Sequence, residues 1–363
     1  MRTLITIKNS RSIFSSLIAT LALAVSAPGQ ATTQSPAPVS GAKNIALKPA
    51  AANAKNWTPS RTPDGQPDLQ GIWDAASMTP LERPKELGAK AFYTLEEAAA
   101  YQQARSKETN RDRRDGGNVA DVARAYNEGW FDRGSKLGRN LRTSRVIDPP
   151  DGRFPPFTPE AQKHFDEVKA YLAKNPADGP ENRPLFERCI TYSQNGPPLI
   201  PGNYNNLYQI VQTPGYVTIF SEMAHQARTV PLDTHERLPQ NVTQWMGDSW
   251  GHWEGNTLVV ETTNVRYNDM SHFGTQYDYG MTDRNLKIVE RFTRTAPDLL
   301  IYQATVTDPT VYTKPWTIEI PMDKTEGPIF EYACHEGNYG MAGILAGERA
   351  REKKAAEQTG GNQ

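Results

Sequence analysis

"LYQIVQTPGYVTIFSEMAHQARTVPL", Leu207 to Leu232, decides the fold. Apolar residues recur at every second position on both sides of Thr213-Pro214-Gly215, a turn sequence, so the stretch reads as paired strands rather than as helix. The same period continues through "SWGHWE", "TLVVETTN", "LKIVERFTRT", "LLIYQATVT" and "WTIEIPM", divided by turns such as Glu254-Gly255-Asn256 and Ala296-Pro297-Asp298. Eight or so sequential strands with short connections predict an antiparallel meander. A sheet of that size tends to close, and about eight strands enclose room for one small ligand. The fold class expected is mainly β with helical additions.

Upstream the period changes. "YTLEEAAAYQQARSKE" opens on a capping box, Thr94 with Glu97, and "FTPEAQKHFDEVKAYLAKNP" has Thr158 as N-cap and Pro159 at the first helical position. Between the two helices "GRNLRTSRVIDPPDGRFPPF" is proline-dense and extended. The first residues carry Arg2, Lys8 and Arg11 ahead of an apolar run, Ile13 to Ala27, too short to span a bilayer as a helix. The organisation expected is a signal peptide over 1–31, a disordered linker over 32–56, and an extended and helical region over 57–185 packed on a barrel over 186–345. The end of a C-terminal helix and a frayed tail occupy 346–363. This predicts a periplasmic or secreted protein with no transmembrane segment once the signal is removed.

Export sets the reading of the two cysteines. An oxidising compartment favours pairing Cys189 with Cys334, and closing so long a loop is worth about 4 to 5 kcal/mol in the chain-entropy model. A formal net charge of −1 and the absence of a basic stripe exclude an electrostatic footprint for nucleic acid. Nothing in the chain specifies an oligomeric state.

Several motifs compete for the chemistry. "GDSWG", Gly247 to Gly251, is a literal G-x-S-x-G, which would make Ser249 the nucleophile of a serine hydrolase. A nucleophile elbow needs a helix behind its serine, and here two strands follow. Glu222 and His225 stand as E-x-x-H on a strand running into a turn, where that spacing does not put both side chains on one face. No H-x-H or H-E-x-x-H occurs, so no metal or other cofactor is expected; a zinc or iron site would have to draw on His225, His252, His272 and His335. The densest polar group is "SEMAHQARTVPLD", which offers a carboxylate, an imidazole and a guanidinium at one hairpin end. His225 is the candidate to move a proton, Glu222 to orient it, Arg228 to hold an anionic substrate group and Tyr204 to assist; a surface ion pair is the alternative account. Glu261, alternating with valines, would need Arg291 or Arg228 if it faced the interior. Glu261, His335 and the aromatic loop Val265 to Arg284, with Tyr267, His272 and Phe273, are candidates for substrate contact.

"TPDGQPDLQGIWD", "GDSWGHWEGNTLVVETTN", "LKIVERFTR", "PWTIEIPM" and "EYACHEGNYG" together resemble a large family of exported bacterial proteins whose activity is not settled. The resemblance extends over Glu222, His225, Arg228, Asp248, Glu254, Glu261, Cys334, His335 and Glu336, while the loop 265–284 departs from it by being longer and more aromatic. Gly71-Ile72-Trp73 also resembles the G-x-W of lipocalin-type barrels, implying an antiparallel lipocalin-like (calycin-type) barrel. The function expected is a cofactor-independent lyase or isomerase, decarboxylation included, that works by acid/base chemistry on a hydrophobic or aromatic small molecule in the lumen. The alternative is a non-catalytic periplasmic binder of the same ligand.

Overall fold

The computed structural model describes residues 57–124, 126–232, 236–266 and 284–360. The expected signal segment and linker, and Tyr267, His272 and Phe273, lie outside the described residues. Each run of period two forms a strand: β3 (Leu207–Thr213), β4 (Tyr216–Ser221), β5 (Gln226–Pro231), β6 (Asp248–Glu254), β7 (Thr257–Thr263), β8 (Lys287–Ala296), β9 (Leu299–Thr307) and β10 (Trp316–Thr325). Two more come from upstream, β1 (Gly71–Asp74) and β2 (Val146–Asp148). The order is β5-β4-β3-β1-β10-β9-β8-β7-β6, every pair antiparallel, with β2 added to β10 off this path.

The G-x-W strand β1 lies between β3 and β10, so the barrel is not confined to 186–345. Trp73 is fully buried, its Nε1 donates to the Leu69 carbonyl at 2.9 Å, and the Arg294 guanidinium lies 5.5 Å from its ring centre. With β1 the barrel has nine strands. An odd number forces the two edges, β5 and β6, to run the same way, and they meet at a parallel bridge between Leu232 and Gly251. The result is a nearly closed, lipocalin-like barrel with helical additions.

The seam explains the glycines of "GDSWG". A Cβ on Gly251 would stand 3.0 Å from Leu232 Cδ2 and 3.1 Å from Val230 Cγ1, so glycine sets how closely the edges approach. Gly247, at φ +71°, makes the turn into β6, where a Cβ would meet the Thr263 carbonyl oxygen at 2.5 Å.

The expectation of an open lumen is corrected. Alternate residues of every strand turn inward, and the inward set is too large to leave a hollow: Trp73, Trp316, Tyr208, Tyr302, Phe292 and Ile288 are all essentially free of solvent and share one core. Burial of each such side chain stabilises the fold by roughly 1.5–3 kcal/mol, an upper range given residual burial in the unfolded chain. The mouth is stopped by a plug, Ser193 to Pro201. Its Leu199 and Ile200 join the core, and the Leu199 N–H donates to the Tyr302 hydroxyl at 2.8 Å.

Among the described residues, four α-helices sit outside the barrel: α1 (Leu95–Thr109), α2 (Gly117–Ala123), α3 (Pro159–Lys174) and α4 (Gly340–Gly360). The Thr94–Glu97 capping box is made in full, and Thr158 accepts from the Ala161 N–H. Phe330 to Cys334 has no regular structure, and α4 runs on to Gly360 where a frayed tail was expected. Cys189 and Cys334 form the expected disulfide, bridging 145 residues. Among the described residues no helix is long and apolar enough to cross a membrane.

Candidate functional site

The hairpin end between β4 and β5 does not assemble the catalytic group expected of it. Glu222 takes helical φ/ψ, and Ala224 and His225 take φ of 53° and 54°, so the strand period breaks before His225. His225 is exposed and sets its ring edge-on to Phe220, 4.7 Å between centres. Glu222 is buried elsewhere, accepting the Phe330 N–H at 3.0 Å. Arg228 points into the barrel, opposite Ile219 in register, and grips Glu290 through both carboxylate oxygens, Nη2 to Oε1 being 2.8 Å. Glu290 Oε1 also accepts the Tyr302 hydroxyl at 2.9 Å. The three residues thus occupy three separate surroundings, and Arg228 has no access to a substrate.

Other candidates are likewise reassigned. Glu261 shares the outer face of β7 with Val259 and pairs with Lys287, while Arg291 is engaged by Glu254 at 2.7 Å. Ser249 is buried, and its Oγ is 2.8 Å from Thr262 Oγ1 across the β6–β7 pair, while His335 is exposed, on the stretch between β10 and α4. Among the described residues no group of three or more His, Cys, Asp or Glu is placed to hold a metal ion.

What the mouth offers instead is a half-open cavity of about 480 Å³ on the outer side of the plug. The plug itself, with Tyr192 and Tyr204 on its flanks, forms one wall. The opposite wall comes from Ser77 to Glu82 and from Tyr101, Arg105 and Thr109 on α1, and Arg133, Arg145, Phe186 and Met223 complete the lining. Of the residues expected at the site, Tyr204 is the one that lines it.

Three arginines face this cavity against one carboxylate, Glu82. Arg145 is buried, with Nη1 on the Pro201 carbonyl at 3.2 Å and Nη2 on the Ser77 carbonyl at 3.0 Å. Arg133 lies over the Phe131 ring, 4.4 Å from its centre, and donates to Glu128 at 2.6 Å. Arg105 pairs with Glu108 at 2.9 Å on the exposed side of α1.

The tyrosines form a chain with a fixed direction. The Tyr192 hydroxyl is 3.0 Å from Cys334 Sγ and 3.4 Å from the Tyr332 hydroxyl. A disulfide sulfur has no proton to give, so Tyr192 donates to it. Each phenol carries one proton; Tyr332 therefore donates to Tyr192. Burial, then the neighbouring phenols Tyr332 and Tyr126, push the Tyr204 hydroxyl up to about 12, so it stays protonated near neutral pH. Its oxygen keeps acceptor capacity beside the cavity. Desolvation raises Tyr192 and Tyr332 as well.

Sequence reasoning missed Tyr101, Arg105, Arg133, Arg145, Phe186 and Tyr192. Only Tyr192, three residues after Cys189, carried a usable signal, because a disulfide fixes its neighbours in place. Comparison with protein-family models, with curated proteins and with solved structures found no match.

Proposed function

We propose that this protein binds a small aromatic acid, with a hydroxyl or phenol at the far end from its acid group, in the cavity above the plug. The observation that carries the reading is the lining itself: three arginines for an anion, a phenol oxygen free to accept, and aromatic and methionine side chains between them. The volume suits a ligand of one or two rings. Arginine meets carboxylate in a fixed bidentate geometry, and the Tyr204 phenol lining the same cavity can hydrogen-bond the far end of the ligand. The N-terminal segment and the disulfide support an exported setting.

Carriage is favoured over catalysis because His225, Glu222 and Arg228 do not meet. The test is titration of the protein with 4-hydroxybenzoate and 4-hydroxycinnamate, followed by calorimetry, with recovery of the ligand afterwards. Saturable binding that weakens with salt, with the ligand returned unchanged, is the expected result. Toluene binding as well as either acid would sink the reading. Consumption of the acid would favour the lyase or isomerase reading.

A further inference from the structure

The Cys189–Cys334 disulfide joins the segment that leads into the plug to a strap, residues 326–338, that has no regular secondary structure. Both cysteines are half-buried rather than enclosed. The strap is tied down by the Phe330 N–H on Glu222, by Tyr332 against Tyr192 with ring centres 5.7 Å apart, and by this bond. Tyr192 and Tyr204 line the cavity, so the strap is the backing of its tyrosine wall.

The two sulfurs are not equivalent. Cys334 Sγ receives the Tyr192 hydroxyl at 3.0 Å, whereas Cys189 Sγ has the Asn338 amide at 3.4 Å. In thiol–disulfide exchange the sulfur better stabilised as thiolate is the one that leaves. A phenol already aimed at Cys334 is such a stabiliser, and it lies on the cavity side of the bond.

We propose that Cys189–Cys334 is a thiol-exchange site whose opening releases the strap and loosens the tyrosine wall of the cavity. An incoming thiolate attacks Cys189 Sγ, a mixed disulfide forms there, and the old sulfur–sulfur bond breaks with its electron pair on Cys334 Sγ. Tyr192 holds its proton, being raised by burial, and steadies the new thiolate by hydrogen bonding. A second thiol attacks the incoming sulfur of the mixed disulfide, leaving both cysteines reduced. Two thiols are thereby oxidised to one disulfide, the protein gains two electrons, and the two thiol protons end on Cys189 and Cys334. Without its anchor Tyr332 leaves Tyr192, and the direction of the phenol chain is no longer imposed by a proton-free sulfur.

The effect on a ligand rests on the cavity reading above; the exchange and the release are measured with no ligand, so failure of one remains distinct from failure of the other. With the full chain and reduced glutathione as probe, free-thiol appearance should slow about tenfold in Tyr192→Phe and stay near the native rate in Tyr332→Phe. Peptide mapping of the unaltered chain, quenched early, should find glutathione on Cys189. After complete reduction, hydrogen exchange should rise over 326–338 and around Tyr192 and Tyr204 while β7, β8 and β9 keep their protection. Equal rates in the two variants, an adduct mainly on Cys334, or melting of the barrel together with the strap would each overturn the proposal, the last by making the bond a structural staple.

Discussion

Arg228 in the barrel interior and Arg105 on the rim of the mouth cavity bring the same charge into opposite surroundings. Arg228 is almost fully buried and gives both terminal guanidinium nitrogens to Glu290, which in turn holds Tyr302, the residue that receives the plug through Leu199. Arg105 is nearly half exposed and has one surface partner, Glu108. Inside, charge is closed on itself and works for the fold. At the mouth, Arg105 and Arg133 hold their carboxylates at partly exposed positions that also line a cavity. In a filled barrel, a buried ionic group is no evidence of a ligand when its partners are all protein.

The sharpest way to break this contrast is to remove one half of the inner pair. Glu290→Gln or Arg228→Ala leaves a buried charge without its counter-charge and should cost about 3–5 kcal/mol in urea unfolding. The double variant Arg228→Met with Glu290→Leu removes both charges and should recover most of that loss, because neither desolvated ion remains. Ligand affinity should follow only the loss of folded protein. A single variant costing under about 1 kcal/mol would mean that water reaches the pair and that the interior is not closed.

Tyr302→Phe tests the link between the two regions. It deprives the Leu199 N–H of its acceptor and Glu290 of a donor, both buried, and should cost about 1–3 kcal/mol. Limited proteolysis should then cut the plug before any strand. Cleavage unchanged from the native pattern would separate plug from core. Arg105→Gln makes the reverse case. Stability should stay within about 0.5 kcal/mol, since an exposed pair is worth little, while affinity for 4-hydroxybenzoate falls about tenfold, the worth of one charge-assisted hydrogen bond. An unchanged affinity would remove Arg105 from the site.

These two regions were not equally legible in the sequence. Alternation placed all eight downstream strands, and Gly71-Ile72-Trp73 marked the ninth. Period two says which face a residue takes and not how much room the face encloses, so a lumen was expected where Tyr208, Tyr302 and Trp316 fill the space. The inner ion pair did leave a trace: Glu290 stands in the apolar parity of Ile288 and Phe292, and Arg228 in that of Val230, which marks two buried charges that need each other. His225 was misread because four residues of turn, Glu222 to His225, cancel the parity that the strand implied. The mouth was opaque for another reason. Its arginines and tyrosines come from α1, from the stretch before β2 and from the plug, and no local period relates segments that meet only in three dimensions.

The smallest effect tests the outer flank of the mouth, where Asp132 donates its backbone N–H to Asn203 and stands near Asp74 and Glu222. One side of Asp132 is open to water and the other is packed. Partial desolvation, and next the charges of Asp74 and Glu222, push its carboxyl up to about 6. The folded protein therefore holds this proton more tightly than the unfolded chain, whose aspartates titrate near 3.9. The associated stability is fully present below about pH 4 and is lost as pH rises through 6. Asp74, raised chiefly by its own burial, pushes the same way. Solvent screening keeps the whole effect to about 1 kcal/mol or less. Asp132→Asn should flatten the fall in stability between pH 4 and 6.5 and leave the protein slightly more stable at pH 7. Urea midpoints that fall as steeply in the variant as in the native chain would place the titrating group elsewhere, and would leave the mouth's outer flank as inert to pH as the sealed interior.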